Sequence, residues 1–198
     1  MWALAAAVIP FAVSTSVSPG PNNVMLAASG ANFGFARTLP HMLGVALGFP
    51  LLLVAVGLGL GGVFAAVPAL HLVLKVAGAA YLLYLAWRIA SADGKAGPAE
   101  RPARPLSFWQ AAAFQWANAK AWIMALGAAT TYTTPQGDAV AEIVVIAAVF
   151  GLVSVPTVAL WAGLGVGIGR VLERSPRALR AFNVAMGLLL ALSVVQVF

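Results

Sequence analysis

The stretch from Met1 to Ala28 carries no ionisable side chain, yet Ser18-Pro19-Gly20-Pro21-Asn22-Asn23 sits inside it. An apolar run of that length suits a membrane span. Two prolines that remove backbone donors and a glycine that relaxes the chain cannot continue a regular helix there. In hydrocarbon such a break survives only against protein or a wet cavity, because unpaired backbone groups are costly. The chemistry it permits is binding. Freed N–H groups and the amides of Asn22 and Asn23 can face a solute. A half-helix beginning after the break would turn its positive end toward a carboxylate. The plainer alternative is a turn between two short, non-spanning segments. A second polar point lies far along the chain, in Asn118-Ala119-Lys120-Ala121-Trp122. An ammonium at the bilayer centre costs about 2.5–3.5 kcal/mol on insertion scales. Snorkelling along the four-carbon stem would relieve it, but no span end is close and Asn118 adds another polar group. Lys120 is therefore read as a charge facing a cavity. The candidate solute-binding set is Pro19, Gly20, Pro21, Asn22, Asn23, Asn118 and Lys120.

The remaining titratable residues sit nearer span ends. Asp138 and Glu142 open a later apolar run, where they suit the helix dipole. Glu142 is also a candidate for proton coupling, as is His41, although a headgroup-level or packing role is the plainer reading of His41. Lys75 and His71 read as interfacial. No catalytic constellation is present: there is no G-x-S-x-G elbow, no H-E-x-x-H and no pair of intramembrane carboxylates. Gly57 to Gly62 fits G-x-G-x-x-G, but no strand precedes it and it falls in an apolar span. Two histidines and no cysteine leave no basis for a metal cage, a disulfide or a thiol nucleophile. The reading is not an enzyme, with no cofactor and no metal.

These residues need a membrane bundle to position them. The chain of 198 residues is 62% hydrophobic and 8% charged, against about 45–50% and about 25% for soluble domains. Six apolar segments are each long enough to span, roughly 2–28, 41–66, 69–90, 107–131, 139–168 and 178–198. Pro40, Pro68, Pro105, Pro135 and Pro176 each fall near an expected helix start, where proline is tolerated. Met1-Trp2-Ala3-Leu4 has no basic n-region, so the first segment is read as a retained span rather than a signal peptide. The net charge of +6 reflects cations between spans, which argues for topology and lipid headgroups and against nucleic acid. Arg37, Arg88, Lys95, Arg101, Arg104, Arg170, Arg174, Arg177 and Arg180 fall on one side of six spans. By the positive-inside rule that side is cytoplasmic, and both termini are then periplasmic.

The second and fifth segments share a pattern. Pro50 precedes Gly57-Leu58-Gly59-Leu60-Gly61 by the same interval as Pro156 precedes Gly163-Leu164-Gly165-Val166-Gly167. Lys75-Val76-Ala77-Gly78 echoes Asn183-Val184-Ala185-Met186, and Gly20-Pro21-Asn22 faintly echoes Asn118-Ala119-Lys120. Three spans per copy is an odd number, so the second copy must be inverted, with a site where the copies meet. The expected fold is thus an all-α membrane protein of six transmembrane helices in two inverted three-helix repeats, its first helix broken at Pro-Gly-Pro. It forms a single domain over 1–198: repeat one about 1–90, a linker about 91–106, and repeat two about 107–198.

The Ser-Pro-Gly-Pro-Asn-Asn break, Gly44-Val45-Ala46-Leu47-Gly48, Leu74-Lys75-Val76-Ala77-Gly78-Ala79-Ala80-Tyr81-Leu82 and Gln115-Trp116-Ala117-Asn118-Ala119-Lys120-Ala121-Trp122 together resemble the lysine exporter superfamily, in its homoserine/threonine-type branch. The last of these is similar to the family's Asn-Pro-Lys-Ala motif. The resemblance implies a bacterial inner-membrane protein that exports amino acids or related metabolites using the proton gradient. It draws attention to Pro19, Gly20, Pro21, Asn22, Asn118 and Lys120. Ala119 stands where the family usually has proline, which is expected to keep the fourth span more regular. Phe49 stands where many members carry an aspartate, so no role for that acid transfers. The expected function is secondary active export of a small, neutral amino acid or derivative by alternating access. Its partners are the solute, protons and membrane lipids, and a homo-oligomer is left open. A passive channel, or a membrane protein that scaffolds without transporting, is the alternative.

Overall fold

The computed structural model describes residues 1–60, 62, 66–92, 104–134, 137–173 and 175–197. Most of the expected linker, with Lys95 and Arg101, lies outside these residues, as do Gly61, Pro135, Arg174 and the side chain of His71. Among the described residues the regular structure is entirely helical. Eight α-helices follow in order: α1 (Trp2–Val17), α2 (Pro21–Phe33), α3 (Phe35–Ala55), α4 (Pro68–Ala90), α5 (Phe108–Ala117), α6 (Ala119–Tyr132), α7 (Ala139–Leu172) and α8 (Pro176–Leu192). Four stretches are long and apolar enough to cross a membrane: Phe35–Leu60, Leu72–Ala90, Ala139–Leu172 and Pro176–Val195. Helices α1 and α2, bent by 57° at their junction, make a fifth if the pair is one span.

Local chemistry sets most helix ends. Pro21, Pro68 and Pro176 occupy the first turns of α2, α4 and α8, where the missing N–H costs nothing. Ser107 and Gln110 form a capping box on α5. Asp138 and Ser175 cap α7 and α8 by accepting from Ala141 N and Ala178 N. Pro40 behaves differently from expectation. Helix α3 starts at Phe35, directly after Gly34 (φ 79), so Pro40 and Pro50 both lie inside it. The chain turns sharply at a glycine in a conformation other residues rarely adopt, and the helix can begin earlier than its proline suggests. Beyond Ala55, α3 relaxes into a π-turn over Val56–Leu60, where Gly59 has φ 109.

The second expectation that fails concerns Ala119. The fourth segment does not run straight through: α5 stops at Ala117, Asn118 is extended (φ −93, ψ 103), and α6 begins at Ala119. No proline is needed because Asn118 offers the backbone an alternative partner. Its Oδ1 accepts from Lys120 N at 3.1 Å and caps α6. Trp122 Nε1 donates to the Trp116 carbonyl at 2.9 Å, occupying an acceptor that the break sets free.

Packing relies on small residues that let backbones touch. A Cβ on Gly30 would strike the Ala162 carbonyl, one on Gly165 the Ala27 carbonyl, and one on Gly169 the Ala31 carbonyl, so α2 and α7 are in backbone contact. Gly44 and Gly48 do the same for α3 against Phe108, Ala111 and Ala112 of α5, which makes them the packing seam their spacing indicates. Two apolar clusters fill the rest. One joins α2, α3, α4, α5, α7 and α8 around Leu26, Leu82, Phe114 and Leu190; the other joins α1, α3, α6 and α7 around Leu52, Ile146 and Phe150. Phe150 takes Phe49 and Phe11 edge-on, with centroids 5.2 and 6.1 Å away.

At one end of the bundle the last turns of α2 and α4 and the first turns of α8 meet. Asn32 and Asn183 exchange amide hydrogen bonds of 2.7 and 3.0 Å, and Asn183 Nδ2 donates to the Ala92 carbonyl at 2.7 Å. Gly169 brings the last turns of α7 to Ala31 at this same end. Arg37, Arg88, Arg104, Arg170, Arg177 and Arg180 belong to the helix ends and junctions gathered here.

The seam makes a stability prediction. Gly165→Val should lower the thermal midpoint of the solubilised protein, since overpacking of this kind costs about 1–3 kcal/mol. Gly163→Ala, whose Cβ meets nothing within 4 Å, should leave it nearly unchanged. Fluorescence-detected size-exclusion after heating checks both.

Candidate functional site

The break between α1 and α2 leaves carbonyls at the end of α1 without intrahelical partners. Thr15 O accepts locally from Ser18 Oγ at 2.8 Å; the carbonyls from Ser16 to Pro19 find donors from a distant part of the chain or from the start of α2. Asn23 Nδ2 donates to Ser16 O at 2.8 Å and Ser18 O at 2.9 Å. Trp161 Nε1 of α7 donates to Val17 O at 3.2 Å. Lys120 Nζ donates to Ser18 O at 2.8 Å, Ser18 Oγ at 2.7 Å and Pro19 O at 3.3 Å. An ammonium has three donors, so Lys120 is saturated by the end of α1. A cation at a helix C-terminus also complements the dipole. A Cβ on Gly20 would sit 2.8 Å from Lys120 Cδ, so a larger residue there would displace the lysine side chain. The Gly20 φ of −177 is ordinary extended backbone.

The two breaks are tied a second time. Asn22 Nδ2 donates to Gln115 Oε1 at 2.8 Å, and Gln115 Nε2 donates to Asn22 Oδ1 at 3.2 Å and to the Ala111 carbonyl at 2.8 Å. Gln115 is fully buried. The starts of α2 and α6 therefore converge. No side chain caps α2, and the first turn of each half-helix is electropositive.

Between them is a cavity of about 50 Å³. At about 10–15 Å³ for one water, it admits a few waters or a short solute. Gly20, Pro21, Asn22, Asn23, Asn118 and Lys120 all line it, with Thr15 and Ser16 from α1 and Ser154 and Thr157 from α7. Val45, Phe49, Met124 and Val158 supply apolar wall. No aspartate or glutamate lines it among the described residues. A lysine and two helix N-termini, unopposed by a carboxylate, suit an anionic group, and the hydroxyls and apolar wall suit a small polar molecule around it.

Of the residues expected at the site, six line this cavity. Pro19 stands at its edge through its carbonyl contact with Lys120. Glu142 and His41 are elsewhere. Glu142 accepts from Thr134 N at 2.8 Å and Thr134 Oγ1 at 2.7 Å, joining the end of α6 to the start of α7. His41 lines a separate cavity at the arginine-rich end. Gln115, Thr15, Ser16, Ser154 and Thr157 were not among the expected site residues. Their signal was available: each is an uncharged polar side chain in an apolar run, and Ser154 and Thr157 are three apart on one helix face.

Residues 13–197 match the family described as LysE type translocator. The chain belongs to this family. It is a multi-pass membrane protein and a translocator, not an enzyme. The cysteine/O-acetylserine efflux proteins of Escherichia coli (strain K12) and Shigella sonnei (strain Ss046) are each 30% identical to it over 189 residues, covering 95% of this chain and 94% of theirs. No solved structure matches the chain.

The Asn22–Gln115 pair yields a measurable expectation. Gln115→Leu or Asn22→Leu alone should destabilise the fold by about 1–3 kcal/mol, because the partner amide is left unsatisfied. The double variant should recover part of that loss. A double-mutant cycle on thermal stability, with a coupling of about 0.5–3 kcal/mol, measures the tie between the breaks.

Proposed function

We propose that this translocator exports a small neutral amino acid or derivative across the bacterial inner membrane, by alternating access around the cavity at the two breaks. One observation carries the reading: residues 20–23 and the pair Asn118 and Lys120, about a hundred positions apart, line a single cavity and are tied together by the Lys120 contacts. The amino-acid efflux activity named for the Escherichia coli and Shigella relatives agrees with it.

The geometry suggests how the solute is taken. Its carboxylate replaces Pro19 O, the longest of the three Lys120 contacts at 3.3 Å, and lies toward the first turns of α2 and α6. Its ammonium then has the released Pro19 carbonyl as an acceptor. A zwitterion exchanges both halves of the contact, so neither charge is left bare. Binding would then loosen the hold of α6 on α1, which links solute occupancy to a change between the two halves.

The six-span, inverted-repeat reading is supported by the packing. The α1–α2 pair packs on α7 while the α5–α6 pair packs on α3, and α4 packs on α8. That is the pattern of a two-fold axis relating 1–90 to 107–198, with the interrupted segment Phe108–Tyr132 as the sixth span. The gathered arginines support a cytoplasmic face at that end and periplasmic termini. For proton coupling, Glu142 and His41 are the buried titratable side chains among the described residues, and they sit toward opposite ends of the bundle.

In proteoliposomes, Lys120→Ala should abolish counterflow of O-acetylserine while the protein still inserts, and Lys75→Ala should change it little. Trans-stimulation by the wild type would separate a carrier from a passive pore. Unchanged counterflow in a correctly inserted Lys120→Ala protein would rule the site out. Substrate charge gives an independent check. With no carboxylate on the cavity wall among the described residues, lysine and arginine should compete poorly against neutral amino acids, and effective inhibition by either would refute the neutral assignment.

A further inference from the structure

A second cavity lies at the arginine-rich end of α2, with a volume of about 110 Å³, larger than the one at the break. Its walls come from α2, α3, α4 and the segment leading into α5. Met25, Leu85 and Leu106 are apolar; Arg88, Arg104 and His41 are not. The Arg88 guanidinium rests 5.9 Å from the Tyr84 ring. Other polar wall groups are already engaged: Ser29 Oγ is 3.0 Å from Thr38 Oγ1, and Asn32 is paired with Asn183. His41 is the exception. It is 1% exposed, and neither ring nitrogen has a hydrogen-bond partner. Leaving a buried polar group unpaired is unfavourable, and among the described residues neither nitrogen of this imidazole has a partner. No carboxylate lines this cavity among the described residues.

We infer that this cavity is a second solute site, where Arg88 and Arg104 hold the carboxylate of a small amino acid and His41 hydrogen-bonds its polar groups before it reaches the break. The guanidinium fork fits a carboxylate in bidentate geometry. In either neutral tautomer, imidazole offers one donor and one acceptor, which suits a molecule carrying both kinds of group. Asn22 at the inner cavity and Asn32 at the outer one lie on the same helix, ten residues apart, about 15 Å along its axis. The two sites thus mark two stations along α2. A lipid phosphate shares the oxyanion chemistry, but the near-complete burial of His41 favours a short free solute over a headgroup tethered to acyl chains. The order of the stations rests on the export reading proposed above; the existence of the outer site does not.

Equilibrium binding of radiolabelled O-acetylserine to the full chain in nanodiscs of purely zwitterionic lipid tests this. Two molecules should bind per chain. Arg88→Gln with Arg104→Gln should leave one, and Lys120→Ala should leave the other. His41→Leu should weaken the outer affinity at least about tenfold, the scale of a lost buried hydrogen bond, while His41→Gln, which keeps a donor and an acceptor, should restore much of it. A stoichiometry of one, lost in Lys120→Ala and untouched by the arginine pair, overturns the outer site and leaves the break site standing. One molecule lost only with the arginine pair keeps the outer site and removes the inner. Absence of binding overturns both. Selective displacement of the outer molecule by phosphatidylglycerol added to the discs assigns the cavity to lipid phosphate and overturns the inference.

Discussion

A helix that stops partway through an apolar bundle leaves its last carbonyls without intrahelical partners, and the rest of this structure answers that constraint. The last acceptors of α1 and its junction, Ser16, Val17, Ser18 and Pro19, draw donors from the start of α2, from α6 and from α7. Lys120 does the largest share, and it does so without a carboxylate partner. A half-buried ammonium within an apolar bundle would ordinarily be expensive. Here its charge is spread over oxygen dipoles at a helix C-terminus, where a cation is favoured. The same contact offsets two costs, the unpaired backbone of one break and the half-buried charge at the other.

That exchange works only if the helices are held at close range, and the small-residue seams provide the range. Backbone contact at Gly30, Gly165 and Gly169 fixes α2 against α7, while Gly44 and Gly48 fix α3 against α5. The half-helices that follow the breaks then start beside one another instead of facing lipid. The Asn22–Gln115 amide pair sets their register. Hydrophobic burial has no large preference between protein and lipid tails in such a setting, so close packing and buried polar bonds carry the specificity of association.

The parts of this fold that sequence made legible are those decided locally. Pro-Gly-Pro strongly disfavours a continuous helix, so the first break was legible within Ser18 to Asn23, where α1 ends and α2 begins. Pro68 and Pro176 mark helix starts for the same reason. What sequence obscured depends on partners. Ala119 is a good helix former, and nothing local says that the helix ends before it; the break at Asn118 is held by its side-chain cap and by Trp122 reaching back to Trp116. Pro40 looked like a boundary because proline often is one, whereas Gly34 set the turn six residues earlier. At the site, charge drew attention to Lys120 while Gln115, Ser154 and Thr157 went unremarked. An uncharged polar side chain in an apolar run gains meaning only once its neighbour across the bundle is known.

A cavity built this way has a built-in competition. Lys120 cannot keep all three of its contacts and also bind a carboxylate, because an ammonium has only three donors. In the present arrangement those donors are spent on α1, and the cavity is small. An anion alone could take the lysine but would strand the carbonyls it displaces. A cation alone could take the carbonyls but would meet the ammonium and two positive helix ends. Only a molecule with both groups at short spacing replaces what it removes, donor for donor and acceptor for acceptor. The α-carbon of an amino acid holds its ammonium and carboxylate at that spacing, so under the proposed export reading selectivity for zwitterions would follow from the break's own hydrogen bonds. The apolar wall of Val45, Phe49, Met124 and Val158 is then left to judge side-chain size, a weaker discrimination because a single methylene changes affinity only modestly.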